Sequence, residues 1–348
     1  MPKSKYSQSY YLSTQSKYKL IKRAPLKKPK KKQQYKIKNW KEYNDSLVKR
    51  YDINIWIKKG WVELWEEDIT TGKRKRKRGG QIKYTGQAIE CLLTIKYLFH
   101  LPYRGVEGLA HSLLPLMFDR VVHIPDYTTI QRRQKNINLR VRKSKYQRRK
   151  SIDIVFDSTG FKIYGEGEWV VRMHGKSKQR TWKKIHLAIN HHTQGIEAVE
   201  VTDNSCGDSQ MVKPLLSQIE APIAKAIADG GYDSRPAYAH LMERTNTIII
   251  PSRRGASIWK HDSTDCTPHP RDETMRSIGR RGRKTWKITS GYHSRSLVET
   301  SIYRLKRIFG DTLSDKELEH QKAEVAFKCR MLNTMTRLGM PDSYEITS

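Results

Sequence analysis

Near the C-terminal end of this 348-residue chain, Tyr292, Arg295, Glu299, Tyr303 and Lys306 follow one another at steps of three and four. On a helix they fall within roughly a quarter of the circumference. Leu297, Val298, Ile302, Leu305, Ile308 and Phe309 occupy the opposite side and read as a buried stripe. One carboxylate thus stands between two cations and two phenols. Taken alone, the stretch reads as a surface helix with i,i+4 ion pairs. Two further carboxylates change the reading. Asp157 follows Ser151-Ile-Asp-Ile-Val-Phe156, an alternating run with Ile152, Ile154 and Phe156 on one face and Asp153, Val155 and Asp157 on the other. Ser158-Thr-Gly160 is expected to end that strand. Asp229 closes the apolar run Ile223–Ala228 and precedes Gly230-Gly231. An acid at a strand end beside glycine is a common cation-ligand position, although each aspartate by itself reads equally well as a turn or cap residue. Three such carboxylates have the composition of a metal-dependent phosphoryl-transfer site.

The elements that must hold them follow from periodicity. Strands are expected near 151–157, 161–164 with 168–173, 182–190 and 196–202, with turns at Gly165-Glu-Gly167 and Thr193-Gln-Gly195. His191-His192 precedes the second turn and reads as hairpin rather than metal site. A helix over 208–219, the strand before Asp229, a helix over 235–245 and the strand Thr247–Ile250 come next, and helices over 291–309 and 318–338 close the chain. This alternation predicts an α/β domain with a mixed sheet over 151–338, interrupted by a basic, poorly periodic insertion at 252–290. Upstream, 39–72 carries Trp40, Trp56, Trp61 and Trp65. Helices are expected over about 85–100, from Pro102 onward, and from Thr128 to Ile137 behind an Asp126 or Thr128 cap. The last exposes Arg132, Arg133 and Lys135. Region 39–138 therefore reads either as a helix-turn-helix unit whose last helix enters a major groove, or as a helical bundle used for dimerisation. Residues 139–150 form a basic linker, and the lysine-rich leader 1–38 is expected to be disordered until bound.

Composition points the same way. The formal charge is +33, with clusters at Lys22–Lys38, Lys73–Arg78, Arg140–Lys150, Arg253-Arg254 and Arg280–Lys284. Charge of this size implies a polyanionic partner, and a run such as 73–78 suits phosphate contact rather than base reading. The four cysteines, Cys91, Cys206, Cys266 and Cys329, form no C-x-x-C pair, which argues against a zinc ribbon or disulfide framework and fits a reduced cytoplasm. No P-loop, dinucleotide fingerprint, signal-peptide core or membrane-length apolar run is present.

Tyr292, Arg295, Glu299 and Lys306 fit Y-x2-R-x3-E-x6-K at every spacing, and in this the chain resembles bacterial insertion-sequence transposases of the DDE type. Weaker matches extend upstream through Asn39-Trp40, Tyr43-Asn44, Arg78-Gly79-Gly80-Gln81 and Pro125–Thr129. The leader 1–38 has no counterpart. The resemblance implies a ribonuclease-H-like catalytic domain in which Asp157, Asp229 and Glu299 bind Mg²⁺, two ions being expected and Mn²⁺ an alternative. It implies an enzyme that binds the terminal inverted repeats of its element, cleaves the DNA and transfers the freed 3′-hydroxyl to target DNA. A homodimer or higher oligomer on double-stranded DNA, located with the bacterial nucleoid in the cytoplasm, would follow. Arg295 and Lys306 would then contact phosphates beside the scissile bond, and Tyr292 would either meet the DNA backbone or pack at the start of the helix. Trp286, in the basic stretch before Tyr292, would stack on a flipped base, or else pack into the core from a strand over Lys284–Ile288. Another nuclease or resolvase of the same fold, a non-catalytic basic DNA-binding protein and a decayed transposase remain as alternatives.

Overall fold

The computed structural model describes residues 34–61, 63–66, 83–119, 121–137, 141, 151–163, 182–259 and 268–346. The chain separates into two units. One comprises Met1–Trp40 and Pro341–Ser348, the other Lys41–Met340. In the first, β1 (Gln34–Ile37) pairs antiparallel with the C-terminal strand β8 (Ser343–Ile346). The last residues of the lysine-rich leader are therefore a strand. Residues 1–33 of the leader, the basic run 73–80, most of the linker 139–150 and the turn and strand expected over 165–173 lie outside the described residues.

The larger unit begins with helices α1 (Trp40–Lys49), α2 (Ile53–Trp56), α3 (Gly86–Leu98), α4 (Tyr103–Phe118) and α5 (Tyr127–Gln134). Thr85 caps α3 by accepting from the Ala88 amide at 3.1 Å, and every residue of α3 from Ala88 to Leu98 is buried. Its sequence is apolar almost all round, so it forms the centre of the helical region rather than a surface helix. Asp126 caps α5, accepting from the amides of Thr128 and Thr129, as its residue type predicts.

A six-stranded sheet follows, built from β2 (Ile152–Ile163), β3 (Trp182–Asn190), β4 (Ile196–Asp203), β5 (Ile223–Ile227), β6 (Thr247–Ile249) and the short β7 (Thr312–Leu313). Its order is β4-β3-β2-β5-β6, with β7 also on β2. The hairpin strands β2, β3 and β4 are antiparallel, whereas β5, β6 and β7 run parallel to their neighbours. The connecting helices are α6 (Val212–Ser217), α7 (Arg235–Met242), α8 (Pro270–Arg281), α9 (Arg283–Thr289), α10 (Ser296–Phe309) and α11 (Leu318–Leu338). This is a ribonuclease-H-like α/β arrangement.

Side chains alternate across the sheet and feed two cores. Ile154, Phe156, Ala188, Ala226 and Ile248 pack with Leu215, Tyr238 and Leu241 of α6 and α7. Val155, Phe161, Leu187 and Ile227 pack on the other side with Val298, Leu305, Val325 and Leu332 of α10 and α11, and that core runs on into Leu92, Val106 and Ile130 of the helical region. Polar groups secure the same junction. Gln134 of α5 donates to Asp315 at 2.8 Å and to the His320 carbonyl at 3.0 Å.

Three expectations are corrected. The strand carrying Asp157 does not stop there. Antiparallel pairing with β3 carries β2 unbroken from Ile154 opposite Asn190 to Lys162 opposite Trp182. Gly160 allows this, because a Cβ there would approach the Trp182 ring to 3.1 Å. Next, the second half of the 252–290 insertion is regular: Pro270 at N1 starts α8, and Gly282, at φ 77°, separates it from α9. Finally, Lys284–Ile288 is helical, not a strand.

Candidate active site

The register of β2 and β5 brings the two aspartates together. Val155 lies opposite Ile227 in parallel pairing. Two residues on, a full side-chain period later, come Asp157 and Asp229, so both belong to the face covered by α10 and α11. β5 ends at Ile227, and β7 takes up the same edge of β2 only at Lys162. Asp157 therefore lies within its strand but beside the gap left where β5 stops. Asp229 caps the short 3₁₀ turn Gly230–Tyr232, accepting from the Gly231 amide at 2.8 Å. A Cβ at Gly231 would come within 2.9 Å of the Asp229 carboxylate, so a larger residue there would push that carboxylate aside.

The third carboxylate arrives on α10. A 3₁₀ turn, Tyr292–Arg295, leads into this helix, whose buried line is Val298, Ser301, Leu305 and Phe309. The opposite face carries Glu299. Between the three acids sits the guanidinium of Arg295. Its Nη2 lies 3.1 and 3.2 Å from the two Asp157 oxygens and 3.9 Å from Asp229, and its Nη1 lies 3.6 Å from Glu299. Side-chain exposure rises from 11% at Asp157 through 38% at Asp229 to 63% at Glu299. The site is thus anchored in the sheet and open towards the helix.

Burial raises the Asp157 carboxyl above its ordinary pKa, against the opposing pull of Arg295 and the Ser158 amide. Arg295 also moves up. Its partial burial disfavours the charge, but Asp157, Tyr292 and Asp229 outweigh that effect. Both partners shift in the same direction because desolvation dominates at Asp157 and nearby negative charge dominates at Arg295.

Further along α10, Lys306 meets β2 again, with its ammonium 5.4 Å from the centre of the Phe161 ring. Burial lowers its pKa, Asp311 opposes that shift and Lys162 adds to it. Tyr303 is exposed on the same face. Tyr292 is buried, its ring 6.0 Å from that of Trp286. Trp286 is 5% exposed. It packs into the core from a helix, so the indole is not presented at the surface. In the helical region Arg132 is exposed and bonds back to Thr128, while Arg133 reaches the Tyr84 carbonyl. The structure gathers Asp157, Asp229, Glu299 and Arg295 and leaves Arg132 and Arg133 on a separate element, α5.

Several supporting residues were not legible in the sequence. Asp208, before α6, pairs with Lys184 at 2.9 Å and faces His186 at 3.4 Å. Burial would raise its carboxyl, but hydrogen bonds from His186, Lys184 and Ser158 outweigh that and hold it well below the usual range. Asp208 and Asp229 approach the same point beside Gly231. On the other side, Arg271 of α8 grips Asp233 through Nε at 2.6 Å and Nη2 at 3.2 Å, and its guanidinium stacks 4.0 Å from the Trp259 ring. Arg253 donates to the carbonyls of Gly230 and Gly231. Part of the basic insertion thus holds the Asp229 turn. Its only sequence signal is an arginine beside the helix-starting Pro270, which is too common to stand out.

Two family models, each described as a transposase DDE domain, match residues 48–166 and 148–334. The second covers more than half of the chain, including all three carboxylates. The chain belongs to the DDE transposases. It is a transposase of the insertion-sequence type, a DNA-cleaving and strand-transfer enzyme, and this family depends on divalent metal. The three-carboxylate cluster suits such an ion. Its three carboxylates offer only hard oxygen donors, and together they already hold one cation, the Arg295 guanidinium. No helix among the described residues is long and apolar enough to cross a membrane.

Proposed function

We propose that Asp157, Asp229 and Glu299 are the metal-binding catalytic residues of this transposase, that they take two Mg²⁺ ions, and that the substrate is the terminal inverted repeat of an insertion sequence. One observation carries the reading. A single guanidinium lies within 3.1–3.9 Å of all three carboxylates, although 72 residues separate Asp157 from Asp229 and 70 separate Asp229 from Glu299. Divalent cations bound there supply Lewis-acid stabilisation of charge on the attacking and leaving oxygens.

The protein's own groups do the rest. Arg295 balances the carboxylates before metal and DNA arrive, then turns to the phosphate beside the scissile bond. Lys306, further along the same helix face, contacts the backbone downstream. Asp208, held by Lys184 and His186, and Arg271, held on Asp233, fix the Asp229 turn from its two sides. The exposed Arg276, Arg280, Arg281 and Lys284 of α8 and α9 form a basic strip. This strip reaches the carboxylates through the contact of Trp286 with Tyr292, and duplex DNA would follow it. Arg132 and Arg133 on α5 are assigned to end recognition, with Arg133 acting from its anchored position at Tyr84. Joining two element ends requires at least two protomers on the DNA.

The test is direct. Asp157→Asn, Asp229→Asn and Glu299→Gln should each reduce Mg²⁺-dependent cleavage of a terminal-repeat duplex by at least about a thousandfold while retaining end binding. Near-normal cleavage by any one of them would remove that residue from the set.

A further inference from the structure

The start of β2 carries a second cluster. Asp153, His191 and His192 bring one potential ligand atom each within 4.8 Å of one another. Asp153 is four residues before Asp157, about 13 Å along the strand. The group is therefore separate from the three carboxylates at the gap beside β5.

The backbone fixes these side chains. The His191 amide donates to the Asp153 carbonyl at 2.9 Å, tying the turn after β3 to β2. The Asn190 side chain accepts from the amides of His192 and Thr193 at 3.0 and 3.1 Å, which holds the turn in shape. Gln194 adopts φ 55° to complete it, and its carbonyl accepts from Ser301 of α10 at 3.4 Å. The two imidazoles meet edge to face with centres 4.8 Å apart. His192 Nε2 lies 3.4 Å from Asp153 Oδ2. His191 Nδ1 is sealed from solvent and has no hydrogen-bond partner among the described residues, an open requirement that a ligand could fill. Among the described residues, the Lys225 ammonium opposes a cation here, 3.7 Å from Asp153 Oδ2.

We propose that Asp153, His191 and His192 form a second site for a borderline-soft divalent cation of the zinc type, independent of the site at Asp157, Asp229 and Glu299. Two imidazoles and one carboxylate are the donor set of zinc-type ions, whereas magnesium takes oxygen ligands and holds its water tightly. The ion would clamp the β3–β4 turn to β2. Three protein ligands leave a fourth position for water, and the exposed side of His192 gives an approach from solvent.

The experiment is a competition titration of the full chain against a chromogenic zinc chelator in excess Mg²⁺, which keeps the carboxylate site occupied. Wild type should bind one zinc ion that His192→Ala and Asp153→Asn both lose. Asp157→Asn should retain it. Lys225→Met removes the competing ammonium and should tighten zinc by roughly two- to fivefold, the size of a half-exposed ion pair. His192 is exposed, so its replacement leaves folding intact. Equal zinc affinity in wild type and His192→Ala overturns the proposal. So does loss of the ion in Asp157→Asn, or a Lys225→Met affinity no tighter than wild type.

Discussion

Replacing Arg295 by methionine keeps an unbranched aliphatic stem and removes the one charge, among the described residues, that touches all three carboxylates. The structure sets the size of the effect. The strong contact is Nη2 to Asp157, at 3.1 and 3.2 Å with both side chains mostly buried. Hydrogen bonds to a charged partner contribute about 1.5–3 kcal/mol. The contact to exposed Glu299 adds little. Protonation of Asp157, whose pKa is already raised, recovers part of the loss. In EDTA the variant should therefore be less stable by about 2 kcal/mol, a fall of about 3 °C in the midpoint of a unit as large as Lys41–Met340. Magnesium should reverse the difference. In wild type the ion must displace a guanidinium, whereas in Arg295→Met it meets three uncompensated carboxylates. The magnesium-induced rise in midpoint should be larger in the variant, with an apparent affinity up to about thirtyfold tighter. Paired thermal melts across a magnesium titration measure both quantities. An unchanged midpoint in EDTA, or equal magnesium increments in the two proteins, would refute the idea that Arg295 stands in for a metal ion.

Three other outcomes follow from the same geometry. Asp157 must lose its proton to bind metal, so Mg²⁺ affinity and cleavage should fall on acidification through a pH above the ordinary aspartate value of about 3.9. Removing Arg295 should move that limb further up. Because the folded pKa is raised, metal-free wild type should lose stability relative to Asp157→Asn as pH rises through it, which parallel urea melts across that window would detect. Trp286→Ala should cost about 3–5 kcal/mol of stability with cleavage per folded molecule unchanged, since the indole is buried against Tyr292; a selective defect in strand opening without loss of stability would restore a stacking role. Affinity for an end duplex should drop about a thousandfold or more between 50 and 200 mM salt if six to ten phosphates are contacted, and a flat response would take the basic strip off the DNA.

The sequence by itself determined the local parts of this transposase. The three- and four-residue spacing of Arg295, Glu299 and Lys306 needs only helix geometry to share a face, and Val298, Leu305 and Phe309 behind them mark the buried side. Alternation identified the strand of Asp157, Asp126 announced the start of α5, and the net charge pointed to a polyanion. The sequence could not say where that strand ended. Ser158-Thr-Gly160 looks like a break, and only the antiparallel pairing with β3 carries the backbone through it. Helical order over Pro270–Thr289 was equally hidden, because its sparse apolar residues answer to tertiary neighbours such as Tyr292 and not to a repeating stripe. The tertiary structure alone decided which charges are committed. Arg271 and Arg253, which read from sequence as generic positive charge, hold the Asp229 turn, and Arg295, which reads as a DNA contact, bridges three carboxylates. Asp153 meets His191 and His192 for the same reason: strand register sets which residues become neighbours, and a register joins segments whose separation along the chain carries no local signal.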